Sequence, residues 1–406
     1  MNHPANPALP ARPPARPFEI SPRIAFYLLA SLAVSFLAGS SAPTPLYPIY
    51  QQLWHFSPVT VTVIFAAYAV SLLAMLLVAG RLSDHIGRKP VLIAAALVQA
   101  ATMLVFISAE SVAVLVAARI LQGLATGAAI GAIGAGMLDL DGGKGQVYNA
   151  VAPAMGTALG GIVAGLMVHY LPAPTTLIYG AMAAIYLLQA VGVALIAEPG
   201  TRRPGALASL RFEWRAPRHT HRPLLAAAPQ LVAGWAIAGF YLSLGPALMH
   251  RVFGFDSSLA GGVVAFLLAG SGSVAVMFLH RSHERHLRIA GASALALGTA
   301  ASLVALNLHW AAAFFAASIV AGAGFGLGFQ GAVRSVMAKA GAAERAAVLS
   351  VVFIVSYLAL ALPAVAAGFV VARTGRLLET AFAFGALVAV LSAVSLHAAT
   401  RRERTR

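Results

Sequence analysis

The chain reads Gly80-Arg-Leu-Ser-Asp84-His-Ile-Gly87-Arg88-Lys89-Pro90-Val-Leu92 between two long apolar runs. Glycine tolerates backbone angles that other residues avoid, so Gly80 and Gly87 permit a tight turn between two close helices. Asp84 and Arg88 are four residues apart and can pair on one helical turn. A membrane helix takes about 20 apolar residues, and both flanking runs are long enough. The stretch therefore predicts a short charged loop between two membrane helices.

Similar apolar runs continue along the whole chain of 406 residues, of which 60% are hydrophobic and only 10% charged. An average soluble protein has roughly 25% charged residues, so a soluble domain and a disordered chain are both excluded. The predicted spans are 24–49, 58–79, 90–108, 111–138, 147–170, 174–196, 223–249, 258–279, 288–308, 310–338, 346–371 and 377–398. They form two sets of six and predict an all-α membrane protein of two pseudo-symmetric six-helix bundles.

The basic residues predict how the chain is oriented. With the N-terminus inside, the cytoplasmic segments hold 23 of the 27 lysines and arginines, and the outer loops hold Arg251, Arg373 and Arg376. Cytoplasmic loops carry the excess of basic residues in membrane proteins. Both termini are therefore expected in the cytoplasm of a bacterial cell, in its inner membrane. Topology also accounts for the net charge of +15, so nucleic acid is not an expected partner.

The domain organisation follows from these spans. We expect a disordered cytoplasmic tail over 1–22, a first bundle over 23–196 and a second bundle over 223–398. A basic, proline-rich cytoplasmic linker over 197–222 separates the bundles, and a basic tail covers 399–406. Prolines and exposed arginines make the linker the expected site of proteolysis, with little fixed structure.

The 80–92 loop resembles the hallmark loop of the major facilitator superfamily, G-x-L-[GAS]-D-[RK]-x-G-R-[RK]-x-x-[LIM], with His85 in place of the usual basic residue. The resemblance covers nearly the whole chain and implies a transporter fold. It also implies that the loop latches one conformation, with Asp84 meeting the start of the eleventh helix near 345–350. An acid at the end of the fourth helix, here Asp139, bonds with the loop arginine in this family. The implied latch residues are Gly80, Asp84, Gly87, Arg88, Lys89 and Asp139.

Arg119 is the only basic residue well inside a predicted span. An arginine inside a membrane helix faces the protein interior or water, or else reaches the interface with its long side chain. The run Arg119-Ile-Leu-Gln122-Gly123 resembles the R-x-x-Q-G motif of the same superfamily, which implies a role of these three residues in proton coupling. We expect its guanidinium to be stabilised by water, glutamine side chains or backbone carbonyls at helix breaks such as Pro43 and Pro45. Arginine does not release its proton at working pH, so we expect Arg119 to hold an anion or to bias a distant acid.

The fifth span carries closely spaced glycines, Gly156, Gly160 and Gly161. They resemble the antiporter motif G-P-x-x-G-G, found mainly in exporters of the superfamily, although Thr157 stands where proline is expected. Glycines four residues apart also allow close helix packing without any transport role. Export and simple packing both remain open at this position.

All 12 acidic residues lie in loops, tails or helix ends, so no predicted span offers a buried carboxylate to a cation. The polar and aromatic side chains within the spans suit neutral, anionic or zwitterionic amphipathic compounds instead. The candidates for a substrate cavity are Ser41, Tyr47, Gln99, Gln230, Trp235, Tyr241, Gln330 and Tyr357. Ordinary packing and helix–helix hydrogen bonding are the alternative for each.

No cofactor or metal is expected. The chain has no cysteine and no G-x-x-x-x-G-K-[ST] loop, and its glycine-rich run 322–328 lies inside an apolar span. The histidines between 280 and 286 fall in a basic loop and read as solvated side chains. An enzyme is not expected either, because acids and histidines do not cluster within the spans.

Together these features predict a monomeric secondary transporter that works by alternating access in the lipid bilayer. The first hypothesis is proton-coupled export of small amphipathic compounds or drugs. The alternatives are proton-coupled uptake of a metabolite or organic anion, and a membrane sensor or scaffold that transports nothing. An intact 80–92 loop argues against the last, because only a protein that alternates needs a latch.

Overall fold

Helices make up nearly all of the chain that the structure describes. This computed structural model describes residues 20–202, 204–210, 216–341 and 344–401. Most of the predicted N-terminal tail (1–19), part of the linker (203 and 211–215) and most of the basic tail (402–406) lie outside the described residues. The helices are α1 (Pro22–Ser41), α2 (Tyr47–Trp54), α3 (Pro58–Ala79), α4 (Ser83–Ile86), α5 (Arg88–Ile107), α6 (Val112–Leu140), α7 (Gly142–Tyr170), α8 (Pro174–Leu195), α9 (Ala206–Ser209), α10 (His221–Arg251), α11 (Ser258–Leu279), α12 (Glu284–Asn307), α13 (Ala311–Met337), α14 (Arg345–Thr374) and α15 (Leu377–Arg401).

Within the described ranges, twelve helical segments are long and apolar enough to cross a membrane. This confirms the predicted all-α architecture. Helix α7 begins five residues before the predicted span, because the carboxylate of Asp141 accepts a hydrogen bond from the backbone N–H of Lys144 at 3.0 Å and caps the helix. That bond, together with the nearby lysine charge, lowers the pKa of the exposed Asp141 carboxyl below its ordinary value.

The first span, predicted over 24–49 with helix breaks at Pro43 and Pro45, is broken at these prolines. Helix α1 ends at Ser41, a 3-10 turn covers Thr44–Leu46, and α2 continues to Trp54. Proline has no N–H to donate to the carbonyl four residues before it, so Pro43 and Pro45 interrupt the helical ladder. The break leaves backbone carbonyls near the end of α1 open to side chains from other helices.

The helices pair in the same pattern in the two parts of the chain. In the first part α1 packs on α7, α3 on α6, α5 on α6 and α5 on α8. In the second part α10 packs on α14, α11 on α13, α12 on α13 and α12 on α15. These are equivalent pairs when α10 is matched to α1, so the chain contains an internal structural repeat. We call the two parts the N half and the C half.

Two long seams join the halves, where α7 packs on α11 and α3 packs on α14. These pairs are equivalent under the same repeat, so a pseudo-two-fold axis relates them. Transporters built from such repeats place their sites between the repeats and rock them about that site. In proteins of that kind, seams such as these are the surfaces along which the two repeats move against each other.

Three glycines at four-residue spacing bring α6 against α3. A Cβ atom on Gly123 would lie 2.5 Å from the backbone oxygen of Tyr68, and one on Gly131 would lie 2.7 Å from the oxygen of Gly80. Gly127 is equally tight against the carbonyl of Leu72. Small residues at this spacing let helix backbones approach closely in membranes. The close approach fixes where the aromatic ring of Tyr68 lies relative to α6.

The described part of the connector over 197–222 contains two short helical pieces, α9 and a 3-10 turn over Arg218–Thr220. Just before it, Ile196 forms an isolated parallel bridge with Ile20. The Pro204 carbonyl lies 3.0 Å from the Nδ1 atom of His85 in the 80–92 loop. The described start of the connector is therefore attached to the N half.

We predict that trypsin cuts first in the connector when it reaches the cytoplasmic face of oriented vesicles. Arg202 and Arg218 flank its described turns, and exposed chain of this kind is the preferred site of nicking. Mass mapping of the two fragments checks the result. Trypsin on the opposite face should reach only the outer arginines, such as Arg373. Connector cleavage from that opposite face alone would invert the predicted topology.

Candidate transport site and loop charge cluster

The 80–92 loop folds as a tight connection between α3 and α5. Gly87 adopts a φ of +105°, where side chains are strained, and so glycine is required. Gly80 does not use its freedom, because its φ of −58° is helical. The expected tight turn is present: Gly87 uses the conformational freedom of glycine, whereas Gly80 lies in the turn at an ordinary φ, and a Cβ atom there would meet the carbonyl of Leu76.

Arg88 is the centre of a charge cluster formed by Asp84, Arg88, Asp139 and Glu198. Its guanidinium pairs with the carboxylate of Asp84 on the same loop and, at 3.3 Å, with that of Asp139 at the end of α6. It also donates to the hydroxyl of Ser83 at 2.7 Å. The cluster thus ties the 80–92 loop to the fourth membrane helix.

Glu198, which sequence reasoning overlooked, completes the charge cluster. Its carboxylate accepts a hydrogen bond from the backbone N–H of Arg88 at 2.6 Å, where α5 begins with unsatisfied donors. Arg202 lies 3.9 Å away on the other side. Lys89 reaches back to the carbonyl of Ala194 at 3.0 Å. The chain at the end of α8 and the start of α5 are therefore joined by two contacts. A carboxylate accepts from a backbone N–H in one, and a lysine ammonium group donates to a backbone carbonyl in the other.

Asp84 contacts Arg88 within the N half. Its contact with α14, the eleventh membrane-spanning helix, stays a prediction. We expect Asp84→Asn to slow transport several-fold while insertion and expression stay near normal. A charge–dipole interaction with a helix end contributes about 0.3–1 kcal/mol, up to ~2 kcal/mol when partly buried, which shifts a balanced equilibrium several-fold. The partner of Asp84, Arg88, is only 11% exposed, but Arg88 keeps its ion pair with Asp139 in this variant, so no buried charge is left unpaired.

Initial transport rates in proteoliposomes check this prediction. Asp256→Asn is the matched control, since Asp256 is almost fully exposed on an outer loop, where it pairs with His250. Unchanged kinetics in Asp84→Asn would remove the latch role.

Arg119 is completely buried and its guanidinium has only neutral hydrogen-bond partners among the described contacts. Its Nη1 atom donates to the carbonyl of Ser40 at 2.8 Å and to Oε1 of Gln122 at 2.7 Å. Both Nε and Nη2 donate to the hydroxyl of Tyr47, at 3.1 and 2.6 Å. The side chain therefore faces the protein interior. We call Arg119 with Ser40, Tyr47, Tyr68 and Gln122 the arginine cage.

The broken first span explains why the cage can form. Pro43 cannot donate to the carbonyl of Gly39, and the Nε2 atom of Gln122 donates to that carbonyl instead, at 2.9 Å. Gln122 is thereby fixed with its oxygen toward Arg119. An amide, a carbonyl and a phenol stabilise the guanidinium without neutralising it.

Two aromatic rings complete the cage. The guanidinium carbon of Arg119 lies 5.8 Å from the ring centre of Tyr47 and 5.4 Å from that of Tyr68, within the range of cation–π attraction. Tyr68 was not among the sequence candidates. The hydroxyl of Tyr68 faces Ser40 and Thr126 without reaching hydrogen-bond geometry with either. Gly123 contacts the α3 backbone beside Tyr68, so its part in the site is packing.

The fifth-helix glycines divide between two interfaces. Gly156 and Gly160 lie against the α1 backbone, at the carbonyls of Val34 and Ala38. Gly161 lies against α11 of the C half, where a Cβ atom would come 3.2 Å from that of Ala265. One helix therefore uses close packing both within its own half and across a seam.

Trp235 on α10 is the centre of an aromatic cluster in the C half. The centre of its ring lies 5.0 Å from the ring centre of Tyr357 on α14. The ring centres of Phe325 and Phe329 on α13 are 5.9 and 5.5 Å away. The indole N–H is buried without an acceptor. One turn earlier, Gln230 is 1% exposed, lies against Gly328 of α13, and has no partner for either amide atom. We call Trp235, Phe325, Phe329 and Tyr357 the aromatic cluster.

Other cavity candidates have partners elsewhere in the fold. Ser41 donates to the carbonyl of Thr157 at 2.7 Å and joins α1 to α7. Tyr241 bonds Ser302 within the C half, and Gln330 accepts from the guanidinium of Arg334 at 3.0–3.1 Å. Gln99 donates to Thr126 at 3.0 Å beside the cage, and its oxygen lacks a donor. The candidates brought together are thus Tyr47 and Gln99 in the N half and Gln230, Trp235 and Tyr357 in the C half.

Repeated helix bundles joined by seams and carrying a buried polar site define the class of membrane carriers that alternate between two faces. The chain belongs to the Major Facilitator Superfamily, whose sequence model matches residues 29–363. It is therefore a multi-pass membrane protein, and family membership points to a transporter of small molecules rather than an enzyme. Groups of three or more residues able to hold a metal are absent from the part of the chain that the structure describes.

Solved structures of transporters share the fold. One is the nucleoside transporter NupG (D323A mutant), with a TM-score of 0.71 and 12% sequence identity, covering 93% of this chain and 100% of that one. Another is the human organic anion transporter MFSD10 (TETRAN), with a TM-score of 0.65 and 18% identity, covering 93% of this chain and 100% of that one. No curated protein sequence matches the chain significantly. Similarities at this level of identity show the fold alone.

Proposed function

We propose that the protein is a proton-coupled secondary transporter of the cytoplasmic membrane that exports small amphipathic organic compounds by alternating access. The observation that carries this proposal is a set of buried, polar and aromatic groups where the two halves meet. Tyr68 of α3 belongs to one buried apolar cluster together with Tyr357 of α14 and helix α10. Rocking the halves along the seams would open this site to one side and then to the other.

Export is supported by the fifth-helix glycines. Gly161 and Gly165 both lie against α11, and Gly262 of α11 lies in turn against the backbone of Gly161. This is the position at which the sequence resembles the antiporter motif of exporters. Close backbone contact at a seam holds the halves together on that side until substrate arrives.

Uptake of a metabolite or organic anion is the second candidate. It is favoured by the buried positive charge of Arg119, which has no carboxylate among its hydrogen-bond partners. Such a charge attracts anionic compounds, whichever way they move. A sensor or scaffold would need neither a charged cage nor glycine contacts across the seams.

A flux assay in both directions tests these proposals. Purified protein is reconstituted into liposomes, a pH gradient of either sign is imposed, and a panel of labelled amphipathic compounds is followed. Export by proton exchange predicts that substrate moves in the direction opposite to the proton flow, and that an uncoupler stops this movement. Movement with the protons identifies uptake by symport instead. Absence of flux for the entire panel, with a correctly folded protein, would favour the sensor.

A further inference from the structure

We propose that the substrate is a planar aromatic anion, whose acid group binds at the arginine cage and whose ring binds against the aromatic cluster. The inference deepens the proposed function and rests on it for the act of transport. Binding itself depends only on the two groups of residues, and it is measured separately below.

The charge of the acid group follows from the cage. A buried guanidinium surrounded by a phenol, a carbonyl and an amide keeps its full positive charge, and an uncompensated buried charge is costly. The Tyr47 hydroxyl accepts from both Nε and Nη2 of Arg119, so its own proton is directed away from that side chain. Tyr68 supplies a second hydroxyl without a partner. A carboxylate between these groups would meet one cation and two O–H donors.

The ring follows from the aromatic cluster. The ring centres of Phe325, Phe329 and Tyr357 each lie within 6 Å of the ring centre of Trp235. Their edge-to-face and tilted arrangements suit a further aromatic ring. The indole N–H has no acceptor, and so a polar atom on the ring edge would satisfy it.

Gln230 strengthens the assignment because both of its amide atoms are buried and unpaired. Some helical serines of the same chain avoid this cost by bonding the carbonyl four residues back, as Ser243 bonds Gly239 at 2.6 Å, whereas Ser356 and Ser395 are buried with one unpaired atom each. A glutamine that does not do so leaves a donor and an acceptor for a ligand, or for a trapped water. The two occupants give different results in the experiment below.

Tyr68 connects the two ends. Its ring lies against the Arg119 guanidinium in the N half, and it shares a buried cluster with Tyr357 in the C half. An anion at Arg119 with a ring at Trp235 would thus contact both halves at once. A cation would be repelled by Arg119, and an aliphatic acid would lose the stacking contacts.

Equilibrium binding to the full chain in lipid nanodiscs, measured by calorimetry, tests the proposal. The probes are 2-naphthoate, its neutral amide 2-naphthamide, the cationic 2-naphthylmethylammonium and the aliphatic cyclohexanecarboxylate. We expect 2-naphthoate to bind at least tenfold more tightly than each of the other three. Equal or tighter binding of the amide or the ammonium compound would overturn the anion assignment. Equal binding of the aliphatic acid would overturn the aromatic one.

Variants assign the two ends. Arg119→Gln should weaken 2-naphthoate at least tenfold and leave 2-naphthamide within about twofold. Trp235→Phe and Gln230→Leu should weaken both compounds, while Trp310→Phe, at an exposed position, changes neither. Thermal melting checks that each variant is folded. If Arg119→Gln does not fold, the Trp235 and Gln230 variants still test the site. Unchanged binding in folded Gln230→Leu would mean that the Gln230 amide holds a trapped water and not the ligand. That result would remove Gln230 from the proposed site.

Flux of the same probes separates this inference from the proposed function. Binding of 2-naphthoate without movement across the membrane would retain the site and overturn transport. Movement of other amphipathic compounds without 2-naphthoate binding would retain transport and overturn the substrate class.

Discussion

Arg119→Gln abolishes coupled transport, and Arg119→Lys retains part of it. Glutamine keeps some hydrogen bonding to Tyr47 and Ser40 but removes the charge on which the cage is built. Lysine keeps the charge and loses the fork of donors that reaches three acceptors at once. A buried arginine costs about 2.5–3.5 kcal/mol or more in a membrane helix, so its presence at 0% exposure indicates a use.

Flux in proteoliposomes over a range of pH measures the effect. Arg251→Gln, at the exposed end of α10, is the charge-matched control and should transport like the wild type. If Arg119→Gln instead transported normally with an unchanged pH dependence, the residue would be structural and its role in coupling would be wrong.

Gly160→Val destabilises the protein by about 1–3 kcal/mol or more and stops transport, because overpacking at a close helix contact forces backbones apart. Even the first side-chain carbon would collide with the carbonyl of Ala38 and the hydroxyl of Ser41 on α1. Separating α1 from α7 also displaces Ser40, whose carbonyl binds Arg119.

Gly180→Ala is the control for this prediction. It also changes a glycine within a membrane helix, but its new Cβ would have no atom within 4 Å. Thermal melting in detergent should show a lower midpoint temperature for Gly160→Val than for the wild type. The midpoint of Gly180→Ala should be nearly that of the wild type. Equal midpoints for the two would show that the tight contact of Gly160 is relieved by small helix shifts.

Sequence reasoning reached the helix count because continuous apolar runs and the distribution of arginines are local signals. It also found Arg119, since a charge within an apolar span stands out. It could not find Tyr68, because which face of α3 meets Arg119 depends on the approach of α6 through Gly123 and Gly127. That approach is a tertiary property with no signature at Tyr68 itself.

Glu198 is a further miss with a similar cause. It follows a span as an ordinary polar residue, and only the return of α8 beside α5 brings it to the backbone of Arg88. The prolines after α1 did predict a helix break with carbonyls and glutamine side chains near Arg119, but not that Gln122 takes the freed carbonyl of Gly39. Residue type could be predicted from the sequence at these positions, but contact partners could not.

If the protein alternates and binds an anion at Arg119 as proposed, the unneutralised charge at Arg119 makes the empty protein sensitive to voltage. When the halves rock, the membrane's electric field shifts relative to this fixed charge, and a full elementary charge is worth about 2.3 kcal/mol per 100 mV. The empty carrier moves with one positive charge at its centre, whereas a bound anion cancels that charge. Membrane potential would then act on the return of the empty carrier and leave the loaded step nearly untouched.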